Sequence, residues 1–237
     1  IDVRERAAPR ITSSLSMWWE ATDVAVSGSL AYLGCTDWLQ SQSWLRVIDF
    51  ADPAKPRQLG YLQMTGGVVA VVAQESFAYL ANRTSGLQVI DVSDPATPSL
   101  ISEYFVDGFT GDVAVSAEST GFAYLISVDG LHVIDVSVPA SPVRHGFYEC
   151  RFRDVAISGQ FAYLVVAPVG LNVIDISDPG NLRAVGSYTS SAEFESVSVS
   201  ENIAYVTSGY GPVYAIDVTN PVDPRAVGEY HSNANIS

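Results

Sequence analysis

Lysine occurs once in the 237 residues, at Lys55, and only 12 basic side chains stand against 26 acidic ones. The net charge of −14 argues against nucleic acid as a partner, because phosphate backbones require clustered Lys and Arg. It equally opposes docking on anionic membranes. Long hydrophobic runs are also missing. The longest, such as Gly67-Val-Val-Ala-Val-Val-Ala73, are far too short to cross a bilayer as a helix, so no transmembrane segment is expected. The chain opens on Ile1 without an initiator Met or a basic-then-apolar leader, and it reads as an excerpt of a longer protein.

Histidine is equally scarce. His132, His145 and His231 are scattered, and they supply neither a zinc site nor a base for a nucleophile. His132 shares its place with Arg46, Gln88, Asn172 and Tyr214, which reads as a tolerant, exposed position. The serines show no nucleophile-elbow spacing, and Thr65-Gly-Gly67 is a lone turn rather than a phosphate loop. The two cysteines, Cys35 and Cys150, form no metal-ligand spacing and no disulfide framework. They read as free, partly buried thiols, with a single bridge as the alternative.

What the chain has is repetition. Leu45-Arg-Val-Ile-Asp49, Leu87-Gln-Val-Ile-Asp91, Leu131-His-Val-Ile-Asp135, Leu171-Asn-Val-Ile-Asp175 and Val213-Tyr-Ala-Ile-Asp217 are copies of one strand, with isoleucines 42, 44, 40 and 42 residues apart. A fixed period near 40 residues is the mark of a repeat architecture. Each copy contains a first strand such as Asp23-Val-Ala-Val, a second such as Phe77-Ala-Tyr-Leu80, the Val-Ile-Asp strand, and a fourth such as Arg225-Ala-Val-Gly-Glu-Tyr230. Between the third and fourth strands lies an Asp-Pro-x-x-Pro turn, seen as Asp52–Pro56 and Asp94–Pro98. Proline fixes φ there, and Asp caps the turn through nearby N–H groups. The repeating acids are therefore read as structural. Four short strands per repeat predict an all-β fold, a β-propeller of four-stranded blades.

Residues 1–16 read as the outer half of a further blade, and complete repeats follow at 17–63, 64–107, 108–149, 150–190 and 191–237. The whole of 1–237 is taken as a single propeller domain, most simply part of a six-bladed ring. The phrase Gly86-Leu-Gln-Val-Ile-Asp-Val-Ser-Asp-Pro-Ala-Thr-Pro98 resembles the LVIVD-repeat family along essentially the whole chain. The resemblance implies a propeller and a bacterial or archaeal protein that works outside the cytoplasm, in the periplasm, at the cell surface or secreted. It brings no catalytic residues with it.

Function should then sit where the copies differ. All four tryptophans fall near the first complete blade: Trp18 and Trp19 in the link entering it, Trp38 and Trp44 in its long second-to-third link. Either that link folds over its own tryptophans, or it presents them to a protein partner, a neighbouring subunit or a glycan. Around the expected channel mouth the entering links place Glu20, Phe109, Arg151, Phe152, Arg153, Glu193, Phe194 and Glu195. Asp23, Asp112 and Asp154 begin the inner strands below them. These three either cap strand ends or hold a Ca²⁺ ion, although no Asp-x-Asp-x-Asp-Gly loop supports a calcium site and no cofactor is otherwise indicated. The leading expectation is a non-catalytic binding or scaffold module for a protein partner. The alternatives are a hydrolase or lyase using the mouth acids, with calcium, and a glycan-binding module.

Overall fold

The computed structural model describes residues 4, 9–16, 20–37, 39, 42–115, 121–149, 151–166, 170–209 and 211–231. Twenty strands form five antiparallel four-stranded sheets, each pairing in chain order. The first blade is β1 (Glu20–Ser27), β2 (Leu30–Asp37), β3 (Gln42–Asp49) and β4 (Arg57–Thr65). The second is β5 (Val68–Gln74), β6 (Phe77–Asn82), β7 (Gly86–Asp91) and β8 (Ser99–Tyr104). The third comprises β9 (Thr110–Val115), β10 (Phe122–Ser127), β11 (Gly130–Asp135) and β12 (Val143–Glu149). The fourth comprises β13 (Phe152–Ser158), β14 (Phe161–Val166), β15 (Gly170–Asp175) and β16 (Arg183–Thr189), and the fifth β17 (Phe194–Ser200), β18 (Ile203–Ser208), β19 (Val213–Asp217) and β20 (Arg225–Tyr230). The architecture is all-β and of the propeller-blade type, as the repeat predicts. Most of residues 1–8 and the final six residues lie outside the described set, as do Trp18, Trp19, Trp38 and Cys150.

The chain divides into two compact units, Ile1–Val106 and Asp107–Ser237. In the first, Tyr32, Leu45 and Val47 of blade one pack on Val68, Val71 and Leu80 of blade two. In the second, Tyr124 and Leu131 of blade three meet Val155 and Leu164 of blade four, while Tyr163 and Leu171 of blade four meet Val197 and Val206 of blade five. This follows from strand periodicity, since successive side chains point to opposite faces. In Phe161-Ala-Tyr-Leu164, Ala162 and Leu164 belong to the cluster shared with blade three, while Tyr163 belongs to that shared with blade five. The repeated tyrosine is therefore an interblade packing residue.

The turns behave as the acids and prolines predict. Asp49, Asp91, Asp135, Asp175 and Asp217 each accept the N–H two residues on, at 2.8–2.9 Å. Asp52, Asp94, Asp178 and Asn220 do the same one turn later. In the third repeat Val138 takes this place. Its carbonyl still closes the turn with the Ser141 N–H at 2.8 Å, but no side chain is there to accept the N–H two residues on. Outside the sheets, the turn of one blade sits against the fourth strand of the blade before it. A Cβ on Gly146 would lie 2.0 Å from the Pro179 carbonyl oxygen, and one on Gly186 would lie 2.1 Å from that of Pro221. Only glycine allows this approach.

Candidate functional site

The first strand of most blades carries a β-bulge just ahead of the aspartate position, at Ala21/Asp23, Phe152/Asp154 and Phe194/Ser196. A bulge turns the strand and re-aims the next side chain. The redirected carboxylates reach the following blade. Asp23 Oδ2 accepts the Val71 N–H at 2.8 Å, Asp112 Oδ2 that of Val155 at 3.2 Å, and Asp154 Oδ2 that of Val197 at 2.7 Å. The other oxygens of Asp112 and Asp154 accept from Val113 and Val155. Burial, reinforced by the adjoining Asp154 carboxyl group, holds Asp112 well above the usual carboxylate range. These acids are blade-to-blade ties. Asp23, Asp112 and Asp154, the residues of the calcium alternative, each direct an oxygen at a backbone amide of the following blade. Among the described residues no group of three or more His, Cys, Asp or Glu is arranged to hold a metal.

The second position of the third strand is a further correction. It faces into the sheet stack and is buried at Gln88 and His132, so it is not a tolerant surface site. The two buried residues are satisfied differently. Asn82 Nδ2 donates to Gln88 Oε1 at 3.1 Å, and Gln88 Nε2 donates to Glu103 Oε1 at 2.6 Å. In the third blade His132 Nε2 lies 3.0 Å from both Ser127 Oγ and Asp129 Oδ1, and Ser127 also bonds Asp129. Serine, histidine and aspartate are together, but not as a triad. A triad places the acid on one ring nitrogen and the hydroxyl on the other. Here both use Nε2, Nδ1 is buried without a partner among the described residues, and Ser127 is itself buried.

Trp44 does not lie in a link. It belongs to β3, opposite Cys35, and is only 5% exposed, so its ring is blade core and not partner surface. The extended second strand, reaching Asp37, and the early start of β3 at Gln42 produce this change. Cys35 is a free, buried thiol, and burial raises its pKa despite neighbouring Arg46. Phe194 is also buried. It lies against the Tyr188 and Tyr214 rings, at 6.3 and 5.1 Å between centroids, and does not face a mouth.

The remaining sequence candidates are at the surface. Arg153 and Glu193 form an exposed ion pair between blades four and five, with Arg151 exposed nearby in sequence. Glu195 lies against Gly209, and Glu20 opens β1 in the other unit. The Phe152 side chain lies outside the described set. At blade three, Phe109 and Val128 are both exposed, and the Val128 N–H donates to the Phe109 carbonyl at 3.1 Å. Gly108 lies beneath the Val128 side chain. This apolar pair on two adjoining links was only half visible in the sequence. Phe109 stands out there, whereas Val128 occupies an ordinary link.

The LVIVD repeat profile matches five times, at residues 20–61, 65–106, 107–149, 151–190 and 193–232. The chain belongs to the LVIVD-repeat family. Comparison with curated proteins yields no match. Among solved structures, this LVIVD-repeat chain is similar to a functionally unknown protein from Desulfotomaculum acetoxidans DSM 771, at 13% identity and TM-score 0.79, over 92% of this chain and 72% of that one. It is also similar to Sqt1 from Chaetomium thermophilum, at 13% identity and TM-score 0.68, over 91% and 62% of the two chains. The computationally designed Ika8 protein aligns at 12% identity and TM-score 0.57, over 86% and 72%. At these identities the likeness concerns the fold alone.

Proposed function

We propose that this LVIVD-repeat chain is a non-catalytic binding or scaffold module whose link-bearing end meets a protein partner or a neighbouring subunit outside the cytoplasm. The observation that carries this reading is the exposed Phe109–Val128 pair on adjoining links of blade three. Large apolar side chains on links, rather than in the packed sheets, are a common basis for partner recognition. In the other unit, Leu39 in the long link of blade one is by itself an exposed apolar side chain, between the positions of Trp38 and the buried Trp44. Trp18, Trp19 and Trp38 remain proposed contributors on sequence grounds. Asp23, Asp112 and Asp154, the acids of the calcium alternative, bond backbone amides of the following blade, which favours the binding reading over that one.

The test is capture from the envelope fraction of the source organism. Wild-type chain is compared with Phe109→Asp/Val128→Asp and with a Trp18/Trp19/Trp38 triple alanine variant, each checked for folding by circular dichroism. A partner retained by wild type and lost by either variant is the expected result. Equal retention by all three would overturn the proposed face. Finding the native protein only in the cytosolic fraction would overturn its location.

A further inference from the structure

Blades two and three carry different polar residues at the same two inward positions, and the difference ends at the surface. Asn82 and Ser127 close their second strands at one repeat position, and Gln88 and His132 share one position of their third strands. In blade two the hydrogen bonds run outward across the sheet, from Asn82 through Gln88 to Glu103 on the fourth strand. In blade three the residue opposite His132 on the fourth strand is Phe147. Its side chain has no acceptor to offer, and its ring stands edge-to-face with the imidazole at 4.9 Å. The bonds turn the other way, to Asp129 in the link. The matching link of blade two, Arg83-Thr-Ser-Gly86, has no acid.

Ser127 Oγ donates to Asp129 Oδ1, and His132 Nε2 lies 3.0 Å from the same oxygen. The ring proton belongs on Nε2, because Nδ1 is buried with no acceptor beside it among the described residues. Both donors are buried, at 3% exposure each, whereas the Asp129 side chain is 49% exposed. Partial burial opposes the charge on this carboxyl group, but the bonds from His132 and Ser127 outweigh it and hold the pKa below the usual carboxylate range. The link therefore presents a carboxylate whose orientation is set before any partner arrives. Its flanks are apolar. Val128, one residue back, and Phe109, whose carbonyl accepts the Val128 N–H, are 57% and 53% exposed. Exposed Asp107 on the Phe109 link, and exposed Glu149 opposite Gly130, add negative charge, against Arg151 two residues further on.

We propose that the partner presents a lysine between apolar side chains, its ammonium meeting Asp129 and its neighbours covering Phe109 and Val128; this rests on the reading of that face as a partner surface. Lysine suits the site better than arginine. Both internal donors use Oδ1, which leaves Oδ2 to the partner. A single oxygen satisfies one ammonium N–H, whereas the guanidinium fork is built for two. The methylene stem of lysine also packs along apolar surface. The occupant is a different protein and not a second copy, because the one lysine of this chain, Lys55, stands between Ala54 and Pro56 in a turn, without large apolar neighbours.

The test titrates the isotope-labelled full chain with the acetylated, amidated peptide Gly-Leu-Lys-Leu-Gly at low salt and follows amide shifts by NMR. Saturable shifts are expected at Val128, Asp129 and Gly130, and none at Thr84 and Ser85 in the matching link of blade two. The same peptide with norleucine for lysine should bind at least ~threefold more weakly, as should the lysine peptide to Asp129→Asn. That variant keeps an oxygen for Ser127 and His132 and loses only the charge. Unshifted link amides would overturn the proposal, as would equal binding of the lysine and norleucine peptides or tighter binding of an arginine peptide. Capture from the envelope fraction separates this result from the wider reading. A partner kept by Asp129→Asn but lost by Phe109→Asp/Val128→Asp would overturn the lysine and leave the face standing. A partner lost by neither would overturn the face itself. A dimer in sedimentation that Lys55→Gln dissolves would make a second copy the occupant and overturn the choice of partner.

Discussion

Among single residues, Asp112 offers the sharpest test. Its folded-state pKa is raised by burial and by Asp154, so the folded chain keeps a proton that the unfolded chain releases. Stability therefore falls as pH rises from the ordinary carboxylate range toward that raised value, and the loss is absent at lower pH. Asp112→Asn keeps an oxygen for the Val155 N–H and offers an N–H to Asp154. Urea denaturation at several pH values should show this variant at least as stable as wild type at pH 7, with a flatter pH dependence. Asp112→Ala should lose about 1–3 kcal/mol, the cost of leaving a buried amide without its acceptor. Tyr124 makes a second case. Burial pushes its pKa up to about 12, and its hydroxyl has no partner among the described residues. Tyr124→Phe should leave stability unchanged or raise it by up to ~1 kcal/mol. At the tyrosine position of other blades, Tyr163→Ala should cost about 3–5 kcal/mol by opening a cavity, and exposed Tyr205→Ala much less.

For the strands and turns, the repeats provide their own controls. Val138 sits in a turn that is already closed but lacks the side-chain acceptor found in its sisters. Val138→Asp should raise the denaturation midpoint, with a gain of about 0.5–1 kcal/mol, because the variant adds a bond without moving the backbone. A fall would mean that the exposed valine makes a contact the turn needs. The turns and the strand order were legible in the sequence because each depends on local backbone chemistry repeated five times. The burial of Gln88 and His132 was not. Arg46, Gln88, His132, Asn172 and Tyr214 look interchangeable in the sequence, although Gln88 and His132 are buried and held by partners specific to their blades, Glu103 for Gln88 and Asp129 for His132. Trp44 was misplaced for a related reason. A link and a long strand have the same composition there, and only the pairing of Trp44 with Cys35 distinguishes them.

For the whole molecule, charge and repetition dominate. The turn acids Asp49, Asp91, Asp135, Asp175 and Asp217 all have lowered pKa values, because side-chain or backbone donors two residues on favour their charged form. Their contribution is fully present above the usual carboxylate range and is lost as pH falls through their lowered values. A net charge of −14 also opposes compaction. Raising salt should therefore raise the melting temperature at pH 7 in scanning calorimetry. A fall would show that exposed ion pairs such as Arg57–Asp49 outweigh the general repulsion. Within each unit, blades are tied to their neighbours by a carboxylate inside and a glycine-to-turn fit outside, the nearest-neighbour pattern of a repeat protein. The outer fit has a consequence for how such a chain can lengthen. Because Gly146 and Gly186 each receive the turn of the following repeat, half of every joint belongs to each copy. A gene duplication that adds one whole repeat therefore copies a matching half-joint at both ends, and the new blade arrives already compatible with its neighbours.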